Sequence, residues 1–193
     1  MATLETSDFR KGLKILYNNQ PHVIIEFQHV KPGKGNQFTR TKLRNLSTGG
    51  VVEQTFRSGE RVEDPEVEER TMTFLYNDAE GYHFMDSKTY EQVALQEDVL
   101  GTQKDFLLPE MPCDIILWKG RALNVDIPSQ VELVITYCEP GVKGDTATNV
   151  TKPATVETGA TVNVPLFINT GDKIKVDTAS GSYLERVAIG SGS

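Results

Sequence analysis

Apolar and polar residues alternate with period two over most of the chain, which is the signature of β-strands half-buried in sheets. Leu13–Tyr17 (LKILY), the turn NNQP and His22–Phe27 (HVIIEF) predict a hairpin. Residues 37–46 (QFTRTKLRNL) alternate strictly, STGG follows as a turn, and VVEQTF reads as another strand. In an extended strand Arg40, Lys42 and Arg44 share one face with Phe38, while Thr41 and Leu43 face away. The charged segment ERVEDPEVEER contains Pro65 and lacks periodicity over its middle, so it reads as a linker or edge. Beyond it TMTFLY and GYHFMD flank NDAE as a second hairpin. In TYEQVALQEDVLG, Thr89 stands three residues before Gln92 and Gly101 follows the last apolar position, the capping pattern of one short helix. DIILW, KGRA and LNVDI form a further hairpin ended by Pro128, and VELVITY begins at once.

From Pro140 the texture changes to Gly, Thr, Asn and Asp, before short strands return as TVNVPLFI, KIKVDT and YLERVA with the turns NTGD and ASGS. Short strands separated by Gly-rich turns indicate an all-β chain of small barrels or sandwiches. Breaks near Pro65 and Pro128 divide it into thirds, with domains expected at 1–64, 65–128 and 129–189. The closing Gly190–Ser193 reads as a tail, of the kind an expression vector leaves, without functional content.

Composition narrows the class: 38% hydrophobic and 24% charged residues over 193 positions describe an ordinary globular protein. No apolar run approaches the roughly 20 residues of a spanning helix, and the opening MATLETSDFRKGLK lacks a signal region. A cytoplasmic protein is the expectation. Cys113 and Cys138 lie far apart without CxxC spacing, so they read as core residues rather than a zinc site or disulfide. His22, His29 and His83 form no ligand-spaced pair and read as structural, with no metal expected. The net charge of −7 is unevenly spread. Residues 1–62 carry ten Lys/Arg against five Asp/Glu, residues 63–140 five against seventeen, and residues 141–193 five of each. A basic module joined to an acidic one suits a protein that touches RNA phosphates with one end; chance asymmetry of solvated surfaces gives the same counts.

Candidate chemistry centres on VKPGKGNQ, which sets Lys34 between two glycines. Pro32 fixes φ, and Gly33 and Gly35 permit angles and close approaches closed to other residues. A phosphate-binding loop requires GxxxxGK[ST] between strand and helix. Here Gly35 follows the lysine and the next segment alternates like a strand, so that reading fails. A lysine nucleophile requires desolvation and a lowered pKa, whereas the surrounding glycines and polar residues predict exposure. Without further information an exposed turn lysine of no consequence remains open.

The residues around this loop carry a resemblance. VKPGKGNQFTRTKLR resembles the loop of bacterial elongation factor P. KPATVETGATVNVPLFINTG is similar to that family's signature, with Lys152, Ala154, Gly159, Val162, Val164, Pro165, Ile168 and Gly171 in register. SDFRKGLKI and PGVKGDTA agree as well, so the likeness runs from about residue 8 to about residue 187. A paralogous elongation-factor-P-like protein is the nearest competitor. The resemblance implies three β-barrel domains in an L-shaped, tRNA-like arrangement, an SH3-like (KOW-like) N-terminal barrel followed by two OB-type barrels. It implies a non-catalytic factor that binds the ribosome between the peptidyl-tRNA and exit-tRNA sites and relieves stalls at consecutive prolines.

In that family the loop tip approaches the CCA end of peptidyl-tRNA. Carried over to this chain, Lys31, Pro32, Gly33, Lys34, Gly35, Asn36, Arg40 and Lys42 form the peptidyl-tRNA contact. Lys34 matches members whose lysine receives a β-lysyl group from a ligase resembling a lysyl-tRNA synthetase, rather than those with a glycosylated arginine. No cofactor beyond this covalent modification is expected, and the expected state is a monomer. Gly144, Asp145 and Thr146 match a loop placed at the small subunit and mRNA, and Tyr183 and Arg186 match positions that meet RNA or tRNA. A reading from another class, a single-strand RNA-binding OB protein, expects stacking aromatics in a basic groove, and aromatics here are sparse.

Overall fold

The computed structural model describes residues 2–141 and 150–188. In the N-terminal segment the strands are β1 (Thr3–Glu5), β2 (Lys14–Tyr17), β3 (Gln20–Val30), β4 (Phe38–Asn45), β5 (Val51–Arg57) and β6 (Arg61–Glu63). Strands β2 to β5 form an antiparallel sheet in chain order, and β1 pairs with β6. Asn18 and Asn19, both at positive φ, close the β2–β3 hairpin, where asparagine tolerates the left-handed region that a two-residue turn demands. Phe9, Ile15, Ile24, Leu43 and Phe56 form the core, with Phe9 and Phe56 edge-on at 5.2 Å.

The central sheet is built from β7 (Glu68–Asp78), β8 (Gly81–Asp86), β9 (Gln92–Leu95), β10 (Pro112–Trp118) and β11 (Arg121–Asp126), in the order β11-β10-β7-β8-β9. One helix, α1 (Glu97–Leu100), runs into a 3-10 turn over Gly101–Phe106. The C-terminal sheet holds β12 (Gln130–Cys138), β13 (Thr151–Val156), β14 (Thr161–Pro165), β15 (Lys173–Asp177) and β16 (Ser182–Arg186), in the order β14-β13-β12-β15-β16. The edge strands β14 and β16 approach each other, so this sheet curls toward a barrel around Leu133, Ile135, Val164, Ile168, Ile174 and Val176. The fold is therefore all-β, as the alternation predicts.

Three local expectations are corrected. The helix over TYEQVALQEDVLG is mostly strand: β9 pairs with β8, and only four residues turn helical before Gly101. The capping pattern is overridden because the Asp86 carboxylate accepts from the Lys88 and Thr89 backbone N–H groups, while Thr89 Oγ1 accepts from Glu91. The charged run at 60–70 is linker only over 64–67, since its first part is β6 and its end begins β7. Strand β13 lies in the Gly- and Thr-rich stretch that gave no strand signal, with Pro153 opposite Asn163 of β14.

The chain divides into two compact units, residues 1–70 with 115–124 and residues 71–114 with 125–193. Within the first, Trp118 Nε1 donates to the Pro65 carbonyl at 3.0 Å, and Lys14 pairs with Glu69. Within the second, Thr178 Oγ1 donates to the Pro128 carbonyl at 2.7 Å and Thr158 Oγ1 to the Asp105 carbonyl at 2.6 Å. Both prolines read as breaks in the sequence thus accept a side-chain hydrogen bond. Among the described residues no helix is long and apolar enough to cross a membrane.

Candidate functional site

The Lys34 loop is the connection between β3 and β4, the longest antiparallel pair of the N-terminal sheet, which ends at Val30 opposite Phe38. All of Lys31–Gln37 is exposed, and the loop is tied at its base by Ser58 N–H donating to the Gln37 carbonyl at 3.0 Å. His29 Nδ1 and Thr39 Oγ1, 2.8 Å apart, add a second tie just inside it. The two glycines differ. Gly35 sits at φ +117°, where only glycine is comfortable, whereas a Cβ on Gly33 would meet nothing within 4 Å. No ion pair among the described residues involves Lys31 or Lys34.

Below the loop, the outer face of the sheet carries Phe38, Arg40, Lys42 and Arg44, with Thr39, Thr41, Leu43 and Asn45 turned inward and buried. Their neighbours come from register. Arg40 lies between Gln28 and Thr55, and Lys42 between Glu26 and Glu53. A bulge between Ile24 and Glu26 creates this arrangement. Ile24 faces the core, and one extra residue, Ile25, reverses the alternation so that Glu26 and Gln28 face outward. Lys42 is consequently paired with Glu26 at 3.2 Å, while the Arg40 guanidinium stands 5.4 Å from the Phe38 ring centroid. The register also sets Arg57 beside Phe38, a cation that strand parity alone does not assign to this face. The Arg40 and Lys42 rows, with Gln28, Thr55, Glu26 and Glu53, line a shallow trough of about 680 Å³.

The remaining predicted contact residues belong to the C-terminal segment of the chain. Gly144, Asp145 and Thr146 lie outside the described residues. Tyr183 and Arg186 are on β16, Tyr183 half-buried opposite Val176 and Arg186 exposed opposite Ile174. Lys152 occupies an inward register of β13, buried, with Nζ donating to the Glu139 carbonyl at 2.6 Å. Both cysteines are buried and free, and burial pushes the Cys113 thiol up to about 12. Histidines 22 and 83 are buried and hydrogen-bonded. Asp78, Glu80 and His83 bring potential ligand atoms within 4.8 Å of one another, a grouping that follows from the His83 Nε2 to Asp78 Oδ1 hydrogen bond of 2.7 Å. That bond is the main cause holding the Asp78 carboxyl below its ordinary value.

Family models match the chain in three successive stretches. Residues 5–62 match the elongation factor P KOW-like domain, 67–125 the elongation factor P OB domain and 131–186 the elongation factor P C-terminal domain. The chain belongs to the elongation factor P family. An elongation factor P of Bdellovibrio bacteriovorus is 54% identical over 184 residues, covering 95% of this chain and 98% of that protein. Those of Caldicellulosiruptor saccharolyticus and Rhodococcus erythropolis are each 52% identical, covering 95% and 94% of this chain and 100% and 97% of their own. Among solved structures, a translation initiation factor 5A from Methanococcus jannaschii covers 64% of this chain and 95% of its own at 21% identity. Its TM-score is 0.48. Elongation factor P proteins are translation factors rather than enzymes, and this chain is accordingly a non-catalytic translation elongation factor that works with ribosome and tRNA.

Proposed function

We propose that this factor binds the ribosome between the peptidyl-tRNA and exit-tRNA sites and relieves stalls at consecutive prolines by holding peptidyl-tRNA in a reactive geometry. The observation that supports this most is the exposed, narrow loop, with Lys34 as a cationic arm beyond a hairpin whose base is tied at two points. Pro32 and the base ties reduce the entropy lost when the loop is ordered among RNA. The two glycines keep the probe thin. An ammonium on a flexible stem then meets phosphate and ribose oxygens through charge-assisted hydrogen bonds. Positioning lowers the entropic part of the barrier, and the ribosome performs the bond chemistry.

In this reading Lys34 carries a β-lysyl group, added by a ligase resembling a lysyl-tRNA synthetase, which lengthens the arm without widening it. Lys31, Asn36, Arg40 and Lys42 flank the contact. Gly144, Asp145, Thr146, Tyr183 and Arg186 meet the small subunit, mRNA or tRNA. The factor acts as a cytoplasmic monomer. Translation of a reporter with a proline run, beside a proline-free reporter, tests this with modified wild-type protein and Lys34→Ala. Wild type is expected to relieve the proline-specific stall and Lys34→Ala to fail; a stall that modified wild type leaves unchanged removes the proposal.

A further inference from the structure

Phe167 is 59% exposed, although the next residue, Ile168, is fully buried. The turn that carries it, between β14 and β15, is tied at several points. Ile168 N–H donates to the Pro165 carbonyl at 3.2 Å and Asn169 N–H to Asp172 Oδ2 at 2.8 Å. The Asn169 side-chain amide donates to the Phe167 carbonyl itself at 3.3 Å. With Ile168 anchored beneath it, this turn fixes the backbone that presents a large apolar ring to water.

From β16, the Arg186 guanidinium carbon stands 5.8 Å from the centroid of that ring. The neighbouring cations are committed elsewhere: Lys175 is bound to Glu185 at 2.6 Å, and Lys173 lies 3.8 Å from Glu132. Among the described residues no ion pair involves Arg186, so its charge is available to an anion outside the protein.

We propose that Phe167 and Arg186 form a stacking platform for one unpaired nucleobase of RNA. The phenyl ring takes the face of the base and the guanidinium takes an adjacent phosphate or base edge. The assignment rests on the reading of this chain as a factor that contacts RNA on the ribosome, and it adds a residue and a contact chemistry to that reading. Every base presents a π-face, so an aromatic platform accepts it without regard to sequence, and a neighbouring arginine supplies the charge that phosphate requires. An apolar protein surface would satisfy the ring and leave the unpaired guanidinium facing it, which makes RNA the better occupant.

The test uses the full chain with Phe167→Tyr, Phe167→Leu and Arg186→Ala, measuring affinity for ribosomes that hold peptidyl-tRNA, with thermal melting alongside. Phe167→Tyr is expected to bind like wild type and Phe167→Leu about ten-fold or more weakly. Melting temperatures should be unchanged, because the ring is exposed. The double variant Phe167→Leu with Arg186→Ala should lose less than the sum of its singles, since the two act on one base. Wild-type binding by Phe167→Leu overturns the assignment and identifies an apolar protein contact or no contact. Loss of affinity in step with loss of melting temperature also overturns it, in favour of a structural ring. Lys34→Ala in the proline reporter separates the two readings. If it fails there while Phe167→Leu binds normally, the platform falls and the proposed function stands; if Lys34→Ala retains full relief, the loop reading falls independently.

Discussion

Gly33 and Gly35 look alike in the sequence and do different work. At Gly35 the backbone itself requires glycine, because φ is +117°; Gly35→Ala should cost about 1 kcal/mol of stability, measured by urea unfolding. At Gly33 an added methyl meets no atom of the protein within 4 Å. Gly33→Ala should therefore melt like wild type and yet lose proline-run relief in the reporter, because only surrounding RNA would feel the methyl. A second residue-scale expectation concerns acid. The Asp177 carboxyl is held below its ordinary value, first by the Ser180 backbone N–H and then by its hydroxyl. A carboxylate lowered in the folded state stabilises it fully above its unfolded pKa, and that contribution disappears as pH falls through the lowered value. The melting temperature of wild type should thus fall more as pH drops below about 4 than that of Asp177→Asn, which keeps an acceptor for the backbone N–H but does not titrate.

At the scale of elements, the β3 bulge decides what the face below the loop contains. Deleting Ile25 removes the extra residue and leaves Glu26 directly after Ile24, still facing outward opposite Lys42, so the variant should keep a cooperative melting transition in circular dichroism. The alternation of β4 was readable from residues 38–45 because one face is buried throughout, and so was the exposed β3–β4 loop. The bulge was not, since nothing local in HVIIEF says which of the two isoleucines is extra. For the same reason the acid partners of Lys42 and the addition of Arg57 emerged only with cross-strand register. The helix over 89–101 failed where a single carboxylate, Asp86, captured the N–H groups that a helix start would have used. Strand β13 was hidden by Pro153, which local rules place outside strands.

For the whole molecule, Pro65 and Pro128 stand out in the sequence as breaks, but the two compact units were not legible there. The bonds that tie down those prolines come from Trp118 and Thr178, 53 and 50 residues away, and no local signal marks them. Trp118→Phe removes one donor and should lower stability by about 1 kcal/mol in denaturant unfolding. The charge segregation has its own signature. Ribosome affinity should fall with salt, and Arg40→Ala, losing one phosphate contact, should reduce the slope of log affinity against log salt by about one. An unchanged slope would remove Arg40 from the interface. The buried, unpaired cysteines have a practical consequence for the loop. With the Cys113 thiol at about 12 and both native thiols enclosed, a cysteine introduced by Lys34→Cys would be the exposed one. Alkylating it with a two-carbon amine rebuilds a lysine with sulfur in its stem, and longer reagents extend the arm atom by atom. The length of the probe then becomes a variable set by the chemist, independent of any modifying enzyme.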